Sequence, residues 1–302
     1  MKRFFYVLVG CLILFSSCQE EIVVMPDNQI PDYSKVPTVK IRNYVNRIFI
    51  DLIGREPNNI EMDQEVARLR SANLSNESRK SLIEMLMSST EYVEGDSSYQ
   101  LAYFKRIYEL SKIRFLEGAS DQYIQDERNI FLQRYLSDSL GGNMVSASEA
   151  LLEANNLKNV VESRLRYQQG EINIMQMYAY MLQNSIYDFI NMNAFNFVNA
   201  AFNDLLFRFP TQTEFLIAYE MVENDQAGTL FQMPGINKSD FIQIMINARE
   251  AHQGVIIWLY TTLLARQPST AEIDQYLNAF FVNKNLQHIQ TQMMMSDEYA
   301  NF

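Results

Sequence analysis

Three stretches of the chain share one skeleton: IDLIGREPNNIEM at 50–62, FNDLLFRFPTQTEF at 202–215 and YTTLLARQPSTAEI at 260–273. In each, an apolar helical pattern runs into Arg-x-Pro, at Arg55 and Pro57, Arg208 and Pro210, and Arg266 and Pro268. Proline disfavours the α conformation in the residue before it, so each helix is expected to stop there. The next residue is a good N-cap with a glutamate three positions on: Asn58 with Glu61, Thr211 with Glu214, Ser269 with Glu272. That is the capping box, in which the cap side chain accepts from the N3 amide and the glutamate accepts from the cap amide. The motif reads as a helix stop, a tight turn and a helix start.

The flanking patterns are helical as well. Val45, Phe49, Leu52 and Ile53 lie at i, i+4, i+7 and i+8, as do Val198, Phe202, Leu205, Leu206 and Ile256, Tyr260, Leu263, Leu264. After each corner come matched apolar positions: Val66 and Leu69, Tyr219 and Val222, Leu277 and Phe280. A third helix is expected to close each unit, over 82–92, 241–251 and 289–299. No run alternates in the manner of a strand, so the predicted class is all-α, with three helical repeat units at Arg-x-Pro corners and an intervening helical segment. The organisation reads as unit 1 over 38–95, intervening helices over 96–192, and units 2 and 3 over 193–302. In the middle segment, Ser120 caps a helix running to Leu140, Ser146 with Glu149 opens another ending near Gly170, and 172–192 reads as one apolar central helix.

At the N-terminus, Lys2 and Arg3 precede an apolar run from Phe4 to Phe15, too short to span a bilayer. Phe15, Ser16, Ser17 and Cys18 resemble a bacterial lipobox, and the acidic Gln19-Glu20-Glu21 that follows resembles the surface-export signal of Bacteroidota lipoproteins. The resemblance implies a signal peptide over 1–17, lipidation at Cys18 with palmitate among its acyl chains, and an outer-membrane anchor, with the body facing the cell surface, which the acidic residues favour, and the periplasmic face as the alternative. Residues 18–37, with Pro26, Pro31 and Pro37, read as an extended linker. The only other cysteine, Cys11, lies inside the leader, so the mature chain has no intramolecular disulfide available.

Residues from Asn43 to about Tyr108 carry Arg47, Phe49, Asp51, Leu52, Gly54, Pro57 and Glu61, then Leu82, Leu86, Ser89, Glu91 and Tyr92. This pattern resembles a helical domain of unknown function found beside cytochrome domains in planctomycete proteins. The resemblance implies a fold and an extracytoplasmic setting. It carries no haem over, because the chain has no Cys-x-x-Cys-His.

A formal net charge of -11 disfavours a general nucleic-acid binder, which needs a basic stripe to displace counterions. The sequence has no nucleophile elbow, phosphate-binding glycine loop or zinc-protease motif, so no catalytic residue is assigned. With His252 and His288 alone, no multi-histidine metal site is expected, and no cofactor. Glu117, Asp121, Asp126 and Glu127 lack the ligand spacing of a calcium loop and read as a solvated helix start. Arg55, Arg208 and Arg266 admit two readings, a row of forks for a ligand's carboxylates or phosphates, or a structural role repeated in each corner; the structural one is favoured. The Met293–Met295 run reads as core, with a pliable docking face as the other reading. Asp138-Ser139-Leu140 matches a Bacteroidota O-glycosylation sequon, placing a glycan at Ser139.

The expected function is a lipid-anchored, non-catalytic helical scaffold or binding module of the cell envelope, with a protein or glycan partner and no nucleic acid. Two rivals stand beside it: an accessory subunit of a β-barrel transport or secretion complex, and a carboxylate-using glycan hydrolase, whose acid pair would be a tertiary property.

Overall fold

The computed structural model describes residues 33–302, so Cys18 and most of the linker lie outside the described residues. Tyr33–Lys35 forms one 3-10 turn, and Val36–Phe302 forms one compact unit. The segments read as units 38–95, 96–192 and 193–302 are therefore parts of a single body. The class is all-α: fifteen helices and one two-stranded hairpin among the described residues.

The first corner joins α1 (Thr38–Ile53) to α2 (Asn59–Ser71), followed by α3 (Asn76–Ser88). The expected stripe is buried, and Ile41, Tyr44 and Ile48 extend it, because 3.6-residue periodicity brings all of them to one side of α1. The second corner joins α9 (Ala194–Leu206) to α10 (Gln212–Asn224), and the third joins α12 (Arg249–Leu263) to α13 (Thr270–Asn283). Between the first two lie α4 (Tyr99–Leu116), α5 (Asp121–Leu140), α6 (Met144–Gln168), α7 (Ile174–Leu182) and α8 (Ser185–Asn191). The remaining helices are α11 (Lys238–Asn247), α14 (Leu286–Met295) and the short α15 (Asp297–Ala300).

Six expectations are corrected. The helices stop earlier than proline requires: a left-handed residue stands before each arginine, Gly54 (φ 78°), Phe207 (φ 56°) and Ala265 (φ 55°). It is this backbone reversal that ends the coil, three residues ahead of the proline in each copy. The closing helices also end early, at Ser88, Asn247 and Met295 rather than at 92, 251 and 299. The central helix is broken, because the Asn184 side chain accepts from the amides of Ile186 and Tyr187 and starts α8 afresh. Asn143, not Ser146, caps α6. Finally, Gly228–Leu230 (β1) pairs antiparallel with Met233–Gly235 (β2) through a turn at Phe231 and Gln232, both at positive φ, so no Asn-Gly signal marks it. In the second corner the deepest residues of α10 are Ala218 and Met221, one position before the expected pair.

The units do not form an open row. The end of the chain returns to its beginning: α14 packs on α3 and α15 on α1. Tyr44 donates to the Met294 carbonyl at 3.0 Å, Arg47 to the Tyr299 carbonyl at 2.8 Å, and Tyr299 to Asp51 at 2.7 Å. Helix α4 lies inside, against α1, α3, α6, α7 and α8. Helices α5 and α6 pack chiefly along each other, and only Ile124 of α5 is buried.

Candidate functional site

The three corners repeat one geometry. Arg55 forks both oxygens of Glu61 at 2.8 and 2.7 Å, Arg208 those of Glu214 at 2.9 and 2.7 Å, and Arg266 those of Glu272 at 3.0 and 2.5 Å. Each glutamate also completes its capping box. A further acid from the next segment takes the arginine Nε: Asp96, Glu250 and Glu298 respectively. An aromatic ring six residues back lies under each guanidinium, Phe49, Phe202 and Tyr260, with centroids at 5.6, 5.4 and 5.0 Å. The hydrogen bonds from Arg208 and Arg266 hold Glu214 and Glu272 down at about 2. Burial pushes Glu61 up, but Arg55, the Tyr99 hydroxyl and the Asn58 amide outweigh it and its net shift is downward. The three arginines share no partner, and each clamp uses its donors inside its own corner. Pro57, Pro210 and Pro268 sit in the turns that these clamps close. This geometry is that of a structural joint.

The first copy departs from the others at its third acid. In the second and third, the acid lies two residues past Ala248 and Ser296, in the first turn of α12 and α15. The matching Glu91 is exposed, and the chain makes an excursion over 89–98, with a bridge between Val93 and Ser97 and Gly95 at φ 98°. Asp96 from this excursion then supplies the clamp.

Beside the excursion opens a cleft of about 530 Å³, lined by Gly54, Gly95, Asp96 and Ser97, by Lys105, Arg106 and Glu109 of α4, and by Arg164 of α6. Both acids in the wall are engaged elsewhere: Asp96 with Arg55, and Glu109 with Lys112 at 3.2 Å. Among the described residues Lys105, Arg106 and Arg164 form no ion pair and no side-chain hydrogen bond, and the Arg106 Nε is buried without a partner. Gly54 makes room for this arginine, since a Cβ there would stand 3.2 Å from Arg106 Cδ. The glycine thus serves both the left-handed helix stop and the close passage of the guanidinium stem. Sequence reasoning missed these three cations, because Arg164 is far from the other two in the chain and no motif joins them.

The other candidates fall elsewhere. His252 is buried; its Nδ1 donates to the Ala248 carbonyl at 2.9 Å, Nε2 has no partner, and burial lowers its pKa to about 4. His288 is exposed on α14. Asp121 accepts from Lys112 and Tyr108, both at 2.7 Å, and Asp126 accepts from Gln122. Among the described residues no three His, Cys, Asp or Glu side chains group as a metal would need. Met293 and Met294 are core residues, which removes the docking-face reading. Ser139 lies in the last turn of α5 with its Oγ shielded and unpartnered, while Asp138 accepts from Ser146 at 2.6 Å.

No protein-family model, curated protein or solved structure matches this chain.

Proposed function

We propose that this chain is a lipid-anchored helical binding module of the bacterial outer membrane, non-catalytic, which presents the cleft beside its first corner to a partner from the cell envelope. The observation that carries this reading is the cleft itself, walled by α4 and α6 at the one corner whose excursion breaks the threefold pattern. Rigid helices suit recognition, because they hold polar groups in place at little entropic cost on binding. The lipobox at Cys18 supplies the anchor and the Pro-rich linker the reach. The likeness of residues 43–108 to the planctomycete helical domain agrees with an extracytoplasmic setting.

The test has two arms. Metabolic labelling with an alkynyl fatty acid should tag the native chain and not the Cys18→Ala variant. Gentle detergent capture of the native protein, followed by mass spectrometry, should return a partner whose recovery falls when the cleft is altered. Co-purification of a β-barrel in fixed proportion would instead favour the accessory-subunit role, and an unlabelled native chain would remove the anchor.

A further inference from the structure

We propose that the cleft binds an oxyanion, phosphate or carboxylate, carried on a polar ligand such as a saccharide, and that Lys105, Arg106 and Arg164 are the residues that hold it. The proposal deepens the binding-module reading and rests on it.

The charge balance of the molecule makes these cations unusual. The chain has 36 acidic residues against 25 lysines and arginines, so a basic side chain has acids in excess around it. Most of the described arginines find them, though Arg70, Arg114, Arg128 and Arg249 do not: Arg55, Arg208 and Arg266 each hold two carboxylates, and the fully buried Arg79 holds Asp297. Three cations without an ion pair around one cleft therefore stand out. Their concentrated positive charge, offset in part by Asp51 near Arg106 and Asp121 near Arg164, and the desolvation of a buried guanidinium nitrogen without an acceptor are costs that the protein carries. An oxyanion in the cleft would relieve both.

The cleft's own acids do not cancel the site, since Asp96 and Glu109 are each committed to a cation outside the trio. The chemistry of the donors narrows the ligand. Two guanidinium groups offer planar forks suited to phosphate or carboxylate oxygens, and the lysine adds a point charge. A volume of about 530 Å³ lies in the range of small-molecule sites and leaves room for the part of the ligand that carries the anion. The Arg106 stem, laid across Gly54, is placed by the same corner that ends α1, so one guanidinium is positioned before any ligand arrives.

The experiment uses the full lipidated chain in a non-ionic detergent, with calorimetric titration of inorganic phosphate, glucose 6-phosphate and trigalacturonate. Glucose serves as the neutral control and sodium chloride matches the ionic strength. Saturable binding of glucose 6-phosphate or trigalacturonate is expected, and the tighter of the two identifies the phosphate or the carboxylate as the recognised group. Arg106→Gln and Arg164→Gln should each weaken it at least about tenfold, while Lys158→Gln, whose lysine pairs with Glu162 on another part of α6, should leave it unchanged. Should Arg106→Gln fail to fold, Arg164→Gln decides, because that side chain is exposed. Binding no stronger than that of glucose, or variants within twofold of the parent, would overturn the proposal. Partner capture that persists without anion binding would sink the oxyanion site and leave the module reading intact; anion binding by a chain that carries no lipid would do the reverse.

Discussion

Arg79, fully buried on α3, donates to the carboxylate of Asp297 at 2.7 Å across 218 residues of chain. The same guanidinium donates to the carbonyls of Leu74 and Met295, both at 2.7 Å. One side chain thus ties the third helix of the first unit to the last turns of the protein. Removing it leaves the Leu74 and Met295 carbonyls without their donor, while Asp297, half exposed, regains water. Arg79→Met is expected to destabilise the fold by about 2 kcal/mol, read as a lowered urea midpoint. Deletion of residues 296–302 should lower it as well, because Asp297 and the Tyr299 bond to Asp51 go with it.

Gly254 packs directly on the backbone of α9. A Cβ at this position would stand 1.8 Å from the Leu205 carbonyl oxygen, and backbone cannot step aside as a flexible side chain does. Gly254→Ala should therefore separate α12 from α9 and cost about 3 kcal/mol or more, at the upper end of overpacking effects. A variant as stable as the parent in calorimetry would show that the two helices are not so closely apposed.

Ala265 occupies the left-handed stop position that Gly54 fills in the first corner. A Cβ in this region is penalised by its own backbone, so Ala265→Gly is expected to stabilise the protein by about 1 kcal/mol. Phe207 holds the matching place in the second corner, but its ring lies 5.2 Å below Arg114 and would be lost, so the same change there should gain less. The comparison of the two melting temperatures tests the assignment.

The clamps give the protein an acid limb. Glu214 and Glu272 are depressed to about 2, below the unfolded carboxylate value, so the folded state binds fewer protons than the unfolded one. Their contribution is complete above about pH 4.5 and fades as the pH falls towards 2. Both clamps are partly open to solvent, so each is expected to contribute little more than a surface pair, and the effect should shrink in 1 M salt. The double variant Glu214→Gln, Glu272→Gln should show a shallower fall of melting temperature between pH 4.5 and 2.

His252 acts at a higher pH. Its folded pKa of about 4 lies below the usual 6.5, so the unfolded chain takes up the proton first and stability drops as the pH falls from 6.5 through 4. The full loss is at most about 3 kcal/mol, from the size of that shift. His252→Met, which keeps an apolar side chain against Phe280 and Phe281, should flatten the stability profile in this window. An unchanged slope would mean that the ring is not held neutral in the core.

The corners were legible in the chain because every element they need is local. Arg55 and Glu61 are six residues apart, the capping box spans three, and the buried stripes follow from helical periodicity; the same holds at Arg208 and Arg266. A single sequence can specify such contacts because chain connectivity already brings the groups within reach. What the tertiary structure decided lies at longer range: the third acid of each clamp, the closure of α14 and α15 onto α3 and α1, and the meeting of Arg106 with Arg164 around one cleft. Those pairs carry no spacing rule, since which distant helices meet depends on how all the buried faces are satisfied together.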